Sequence, residues 1–448
     1  MAYNFREYNQ GQMYLIPPSM AEWLPEKHLA RFVDETVEGL DVSNFYESYR
    51  SDGWGNTAYH PKMLVKIMLY SYCIGVSSSR KISQQCEDQI SYRYLSGNQL
   101  PDFRTINRFR RKHRIELKGL FVKILVLCRE AGLAKMGTVS LDGTKLKANA
   151  ALEANRELAS INREIDRMMK EADANDKKED KKFGKDLRGD ELPEVLQTRK
   201  GRFEQLQKAK KKLEEQDAER IQKHEEKLTE RQAEETTSGL KKRGRKPKSP
   251  PPQEGKINMT DPESRIMKSR SGFVQGYNGQ AMVDCASQII VAQALTQDCN
   301  DKKQLEPMLA IATSQNGILP SKILVDAGYW SEANAKLETP QTELLIAVSK
   351  DWKQRKALQE LPSPRGRIPK NSSLSQLMER KLLTKRGRSL YRLRAQTVEP
   401  VFGQIKGRGL GNLRLRGTDG AELEWSLYCA THNLLKLWRN MLKMTHRN

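Results

Sequence analysis

Residues Thr138–Leu146 read TVSLDGTKL and residues Lys322–Trp330 read KILVDAGYW. In each, a short apolar run leads into an aspartate, Asp142 or Asp326, and glycine follows, Gly143 directly and Gly328 after Ala327. These runs predict two buried strands that end at their acids, and the strand ends of an open α/β sheet are where polar side chains face a cleft. Glycine at such a point permits a sharp turn and a close approach of backbone to a phosphate.

Around these segments strand and helix patterns alternate. Gly272–Asp284 (GFVQGYNGQAMVD) and Gln288–Thr296 (QIIVAQALT) have strand composition, with a turn near Ala286 and Ser287. Lys302–Ser314 predicts a helix, Ser331–Glu338 a short helix and Thr342–Lys350 another strand. Joined by TVSLDG, they make an α/β core with a five-stranded sheet. An apolar helix over Ala421–Lys443 packs against it.

The third informative segment is Thr397–Lys406, TVEPVFGQIK. A residue before proline is pushed away from helical geometry, while proline suits a first helical turn, so the sequence places Glu399 at the start of a helix that Pro400 begins. Lys406 lies seven positions on, close to two full turns and about 10 Å along the same face. Three carboxylates placed in this way can share two divalent cations, and two metals about 4 Å apart clamp the attacking and leaving oxygens of a phosphoryl transfer. That chemistry points to cutting of DNA.

Composition agrees on the partner. The 448 residues carry a net charge of +22, and 37% hydrophobic content suffices for a core. The excess is clustered, with six Lys or Arg in Arg104–Arg114, six in Lys241–Lys248 and seven in Arg380–Arg394. Such clusters favour a polyanion. Six scattered cysteines without a CxxC pair fit a reducing compartment, and six dispersed histidines form no zinc pattern. With neither a signal-peptide pattern nor a membrane-span run, the expected location is cytoplasmic.

Upstream of the first strand the pattern is helical. Residues 1–58 form an N-terminal segment with one helix near Met20–Leu40. Residues 59–135 predict a helix-turn-helix-like DNA-binding domain, opened by PKMLVKIMLYSYCIG from Pro61, with Ser78 or Ser79 and Asp102 as N-caps. On its candidate DNA-contacting helix, Phe103–His113, Arg104, Arg108 and Arg111 share a face. Residues 151–255 read as an insertion. One helix is expected from Leu152 to about Glu171 and a longer one from Pro193 to about Glu235, forming an antiparallel hairpin. A Pro-rich basic stretch follows, whose Arg243-Gly244-Arg245 resembles a minor-groove AT-hook but reads better as a solvated basic linker. The α/β core takes residues 136–150 and 256–448.

Together, Asp142, Asp326 and the Glu399-x6-Lys406 pattern resemble the DDE signature of bacterial insertion-sequence transposases with a ribonuclease-H-like catalytic domain. NMTDPESRIMK, GFVQGYNGQAMVD, VDAGYWSE, VEPVFGQIK and the helices around LPDFRTINRFR carry the resemblance from about Tyr59 to Leu435. Many relatives show Tyr, two residues, Arg, three residues, Glu, six residues, Lys. Here Tyr391, Arg394, Glu399 and Lys406 follow it with one extra residue before the glutamate; Ala395 takes the expected arginine position, and Arg392 is an alternative phosphate contact. The resemblance implies a ribonuclease-H-like mixed sheet of five strands flanked by helices. It also implies a transposase that binds its element's terminal inverted repeats and target DNA, as a homodimer in the synaptic complex. Asp142, Asp326 and Glu399 would be catalytic and would hold two Mg²⁺ ions, with Mn²⁺ as a substitute. Two other readings stay open, a catalytically silent DNA-binding or architectural protein and a metal-dependent nuclease without strand transfer.

Overall fold

The structure, a computed structural model, describes residues 19–49, 57–157, 160–165, 199–238, 256–269, 272–349, 351–369 and 371–445. Among the described residues six α-helices precede the first strand: α1 (Leu29–Gly39), α2 (Pro61–Cys73), α3 (Ser79–Asp88), α4 (Ile90–Ser96), α5 (Phe103–Lys112) and α6 (Arg114–Glu130). Asp102 caps α5 as expected, accepting from the Thr105 N–H, and Pro61 opens α2. The Met20–Leu40 helix is shorter than the sequence suggests, beginning at Leu29.

The central sheet holds six strands: β1 (Thr138–Lys147), β4 (Arg265–Ser269), β5 (Gly272–Asp284), β6 (Ile290–Thr296), β7 (Lys322–Val325) and β8 (Glu343–Ile346). They run in the order β4-β5-β1-β7-β8, with β6 also paired to β5. β1, β7 and β8 are parallel, and β5 is antiparallel to β1, β4 and β6, so the sheet is mixed. The sixth strand, β4, was not foreseen; its run RIMKS is too short and charged to announce a strand, and it pairs with only the first half of β5. β2 (Asn155–Glu157) and β3 (Lys256–Asn258) form a separate two-stranded ribbon.

Further helices follow β3 or lie in the insertion before it, with α7 (Arg199–Ser238) in the insertion. The others are α8 (Leu305–Asn316), α9 (Glu332–Ala335), α10 (Asp351–Glu360), α11 (Leu374–Leu383) and α12 (Lys385–Gly407), before the closing α13 (Gly417–Thr445). α13 is the pivot of the packing. It contacts β6 on one side and α2 and α6 on the other, and its Trp425, Leu427, Tyr428 and Leu434 have no exposed surface. Each large apolar side chain buried in this way contributes about 1.5–3 kcal/mol. One core therefore runs from the N-terminal helices through α13 into the sheet.

A buried polar network ties the same layers. Arg110 on α5 donates to Tyr72 Oη (3.1 Å), the Ser77 carbonyl (2.9 Å) and Ser79 Oγ (2.9 Å). Tyr72 in turn donates to Glu424 of α13 at 3.2 Å. Burial raises the pKa of Glu424, opposed by Arg110. Removing one member of such a buried set strands the others, which costs far more than an exposed pair is worth.

The insertion departs from the expected hairpin at its neck. Residues from Leu152 form a short 3₁₀ turn and then β2, because Asn155 donates to the Leu152 carbonyl and to Gln275, while Asn258 donates to the Ala151 carbonyl. Helix geometry resumes at 160–165, where Ile161 and Ile165 pack on Leu206, Ala209 and Leu213 of α7 in a small second core. The remainder of the first expected helix, and Arg243 and Arg245 with their AT-hook-like run, lie outside the described residues. Among the described residues no helix is long and apolar enough to cross a membrane.

Candidate active site

Strand register brings the two aspartates together. The parallel ladder pairs Leu141 with Val325, the last residue of β7, so Asp142 and Asp326 are the next residues on neighbouring strands. Asp326 ends β7 as expected and caps a short 3₁₀ turn, accepting from the Gly328 N–H at 2.9 Å. Asp142 does not end its strand. β1 continues to Lys147 because β5 pairs with it along its whole length, Gly143 opposite Gln280 and Lys147 opposite Gly276. Gly143 therefore serves close approach rather than a turn: a Cβ there would lie 2.5 Å from Gln280 Nε2 and 2.7 Å from Asp301 Oδ1.

The expected helix start at Pro400 is wrong. α12 begins at Lys385, capped by Thr384, and Pro400 lies in its interior. An interior proline deprives the carbonyl four residues back of its donor. Here that carbonyl belongs to Gln396, and Gln288, in the turn between β5 and β6, donates to it with its side-chain amide at 3.0 Å. Gln288 also accepts from Lys436 at 2.6 Å, and its carbonyl faces His432 Nε2 at 2.9 Å, so the turn braces α12 against α13. Local sequence rules favoured a boundary at Glu399; this tertiary replacement of a lost bond overrode them.

α12 carries Glu399 to the aspartates, and Arg394 sits among all three acids. Its guanidinium is 2.8 Å from Asp142, 3.7 Å from Asp326 and 3.7 Å from Glu399. Arg394, expected to reach a DNA phosphate, is only 6% exposed and is directed to the carboxylates. Burial pushes the Asp142 carboxyl up to about 7, reinforced by the neighbouring Asp326 charge and opposed by Arg394 and the Gly143 N–H. A fourth acid, which the sequence did not single out, adjoins them. Asp301 accepts from Asn278 (2.6 Å) and Gln280 (2.7 Å) and lies 3.8 Å from Lys145 Nζ. In sequence it stands in QDCNDKK, indistinguishable from a loop acid; the strand pairing of Asn278 and Gln280 reveals its place.

The remaining predicted residues divide by position. Lys406 is exposed and lines one cleft with Asp142, Glu399, Lys145 and Lys268. Tyr391 and Arg392 line a different groove, with Arg388, Leu358 and Arg394. Arg104, Arg108 and Arg111 are exposed on α5, whereas Ile106, Phe109 and Arg110 of that helix are buried.

Among the described residues no group of three or more His, Cys, Asp or Glu side chains is placed to hold a metal ion. The carboxylates surround the Arg394 guanidinium instead, an all-oxygen set gathered on one positive centre. An all-oxygen donor set is of the kind that suits a hard divalent cation.

Comparison with known families gives two matches. One, described as a transposase domain, covers residues 18–112; the other, described as a transposase DDE domain, covers residues 243–434. Neither includes Asp142, whose place rests on its register beside Asp326. No curated protein and no solved structure matches the chain.

Proposed function

The chain belongs to the DDE transposases of insertion sequences, and from that premise we propose that it binds the terminal inverted repeats of its own element, cuts a DNA strand there and joins the end to target DNA. The observation that carries this reading is the meeting of carboxylates from β1, the end of β7 and α12 around one guanidinium, none more than 3.7 Å from it.

DDE transposases use divalent metals. Asp142, Asp326 and Glu399 would hold two Mg²⁺ ions, or Mn²⁺ in their place, and such ions would supply activation of the attacking oxygen and neutralisation of charge on the leaving one. The chain's own groups do the rest. Lys145, Lys268 and Lys406 line the same cleft and attract the DNA backbone. Arg394 holds the three acids together. Arg104, Arg108 and Arg111 on α5 add a second basic face, and synapsis of two ends calls for a homodimer.

The test uses purified protein, MgCl₂ and a duplex ending in the element's terminal repeat. Nicks with free 3′-hydroxyls, followed by joined products when target DNA is added, are expected. Asp142→Asn should abolish both while leaving binding of the duplex in place. A variant as active as the wild type removes the metal assignment, and nicking without joined products leaves a nuclease.

A further inference from the structure

Phe273, near the start of β5, is 65% exposed, more than any other Phe, Tyr or Trp among the described residues. A single exposed apolar side chain is unremarkable on a protein surface. This one has distinctive neighbours: it lines a groove with Lys147, Arg414 and Arg416, where Glu153 is the one acid among the described residues. Three cations against one anion favour a polyanionic occupant.

The groove is built on fixed backbone. The Leu413 N–H donates to the Lys147 carbonyl (2.8 Å), and the Lys147 N–H donates to the Gly411 carbonyl (3.2 Å). Asn149 donates to the Arg414 carbonyl at 2.9 Å, and Arg416 Nε donates to the Asn149 carbonyl at 3.1 Å. Beneath them the buried Glu424 accepts from the Arg414 and Leu415 N–H groups at 2.5 and 3.0 Å. The backbone under Arg414 is thus clamped while its side chain is exposed.

The groove and the catalytic cleft are lined by neighbouring residues of β1 and by a cross-strand pair of β4 and β5. Lys145 lines the cleft, and Lys147, two residues on and so on the same side of β1, lines the groove. Lys268, in the cleft, pairs across the strands with Phe273. At ~3.3 Å per residue Lys147 lies ~17 Å along β1 from Asp142, the length of roughly five stacked nucleotides.

We propose that this groove seats an unpaired DNA strand leading to the cut site, with Phe273 stacking on a base and Lys147, Arg414 and Arg416 contacting its phosphates. A base inside a duplex has both faces covered by its neighbours, so an aromatic ring presented in this way suits an unpaired base. The inference rests on the transposase reading for its substrate, and the test separates the two.

Fluorescence anisotropy with a labelled forked oligonucleotide, a ~20-bp duplex with a ~10-nucleotide single-stranded tail, is compared with the blunt duplex of the same sequence, within the range of known strand-binding sites. Phe273→Ala should weaken fork binding about 10-fold, with blunt-duplex binding unchanged, and Phe273→Trp should restore it. Arg414→Ala with Arg416→Ala should weaken fork binding and lower its salt slope by about 1.4. The exposed position of Phe273 keeps the variants folded, as matching melting curves check. Fork affinity that is the same for wild type, Phe273→Ala and Phe273→Trp overturns the proposal, even if wild-type protein nicks its element's ends. Conversely, Phe273-dependent fork binding by a protein that never nicks those ends keeps the groove and removes the transposase chemistry.

Discussion

The sheet and helix α12 deliver their carboxylates by different physical means. Asp142 and Asp326 follow the last paired residues of a parallel ladder, so backbone hydrogen bonds on both strands set their separation. Glu399 stands on a helix with a proline in its interior, and the lost helical bond is replaced by one side chain, Gln288, from a turn between strands. Two acids are thus held by main chain, which tolerates surface change, and the third by side-chain bracing, which a single substitution can remove. Arg394, on α12, closes the gap between the two systems.

The largest expected effect falls on the acids themselves. Asp142→Asn, Asp326→Asn and Glu399→Gln should each lower nicking by at least ~10³-fold, and the Asp142→Asn, Glu399→Gln double variant should be little worse than either, as for residues that act as a unit. Additive losses in the nicking assay would show that Glu399 acts apart from the sheet.

Next comes the residue between them. Arg394→Ala leaves three partly buried carboxylates facing one another, and the metal-free protein should lose about 3 kcal/mol, the low end for a broken buried charge set because Asp326 and Glu399 are 31% and 36% exposed. Thermal unfolding in EDTA measures the loss, and Mg²⁺ should restore much of it. A loss that Mg²⁺ leaves unchanged would place the arginine's role in packing.

The brace on α12 is worth less and is more discriminating. Gln288→Ala strips the donor from the Gln396 carbonyl and should cost about 1 kcal/mol in denaturant unfolding. Pro400→Ala returns a backbone N–H to that carbonyl, so the Gln288→Ala penalty should shrink in its presence. Equal penalties in both backgrounds would show that the Gln288 side chain matters only through Lys436 and Gln404.

The smallest effect concerns α5. Replacing Arg108 and Arg111 by alanine should leave the fold intact and reduce the salt slope of DNA binding by about 2, read from affinity against salt concentration. An unchanged slope removes that face from the interface.

These contrasts also explain what the sequence disclosed. Asp326 was legible because ILV is an unbroken buried strand ending at a turn, and Asp142 because VSL is another, although the continuation of β1 to Lys147 depends on β5, more than a hundred residues away. The α5 cap at Asp102 follows a local rule and holds. Pro400 follows a local rule that fails, since the donor that rescues the Gln396 carbonyl comes from a distant turn. Arg394 read as a surface cation because charge is visible in sequence and burial among acids is not. Asp301 and the neck ribbon of the insertion escaped for the same reason, since each is defined by partners across the fold.

The central claim is that the carboxylates gathered around Arg394 form a divalent-metal site. Titration of Mn²⁺ into the protein, with free ion followed by electron paramagnetic resonance, tests it most directly. Wild-type protein should sequester Mn²⁺, and Asp142→Asn, Asp326→Asn and Glu399→Gln should each weaken that binding at least ~10-fold. Undiminished Mn²⁺ binding by all three variants would contradict the account.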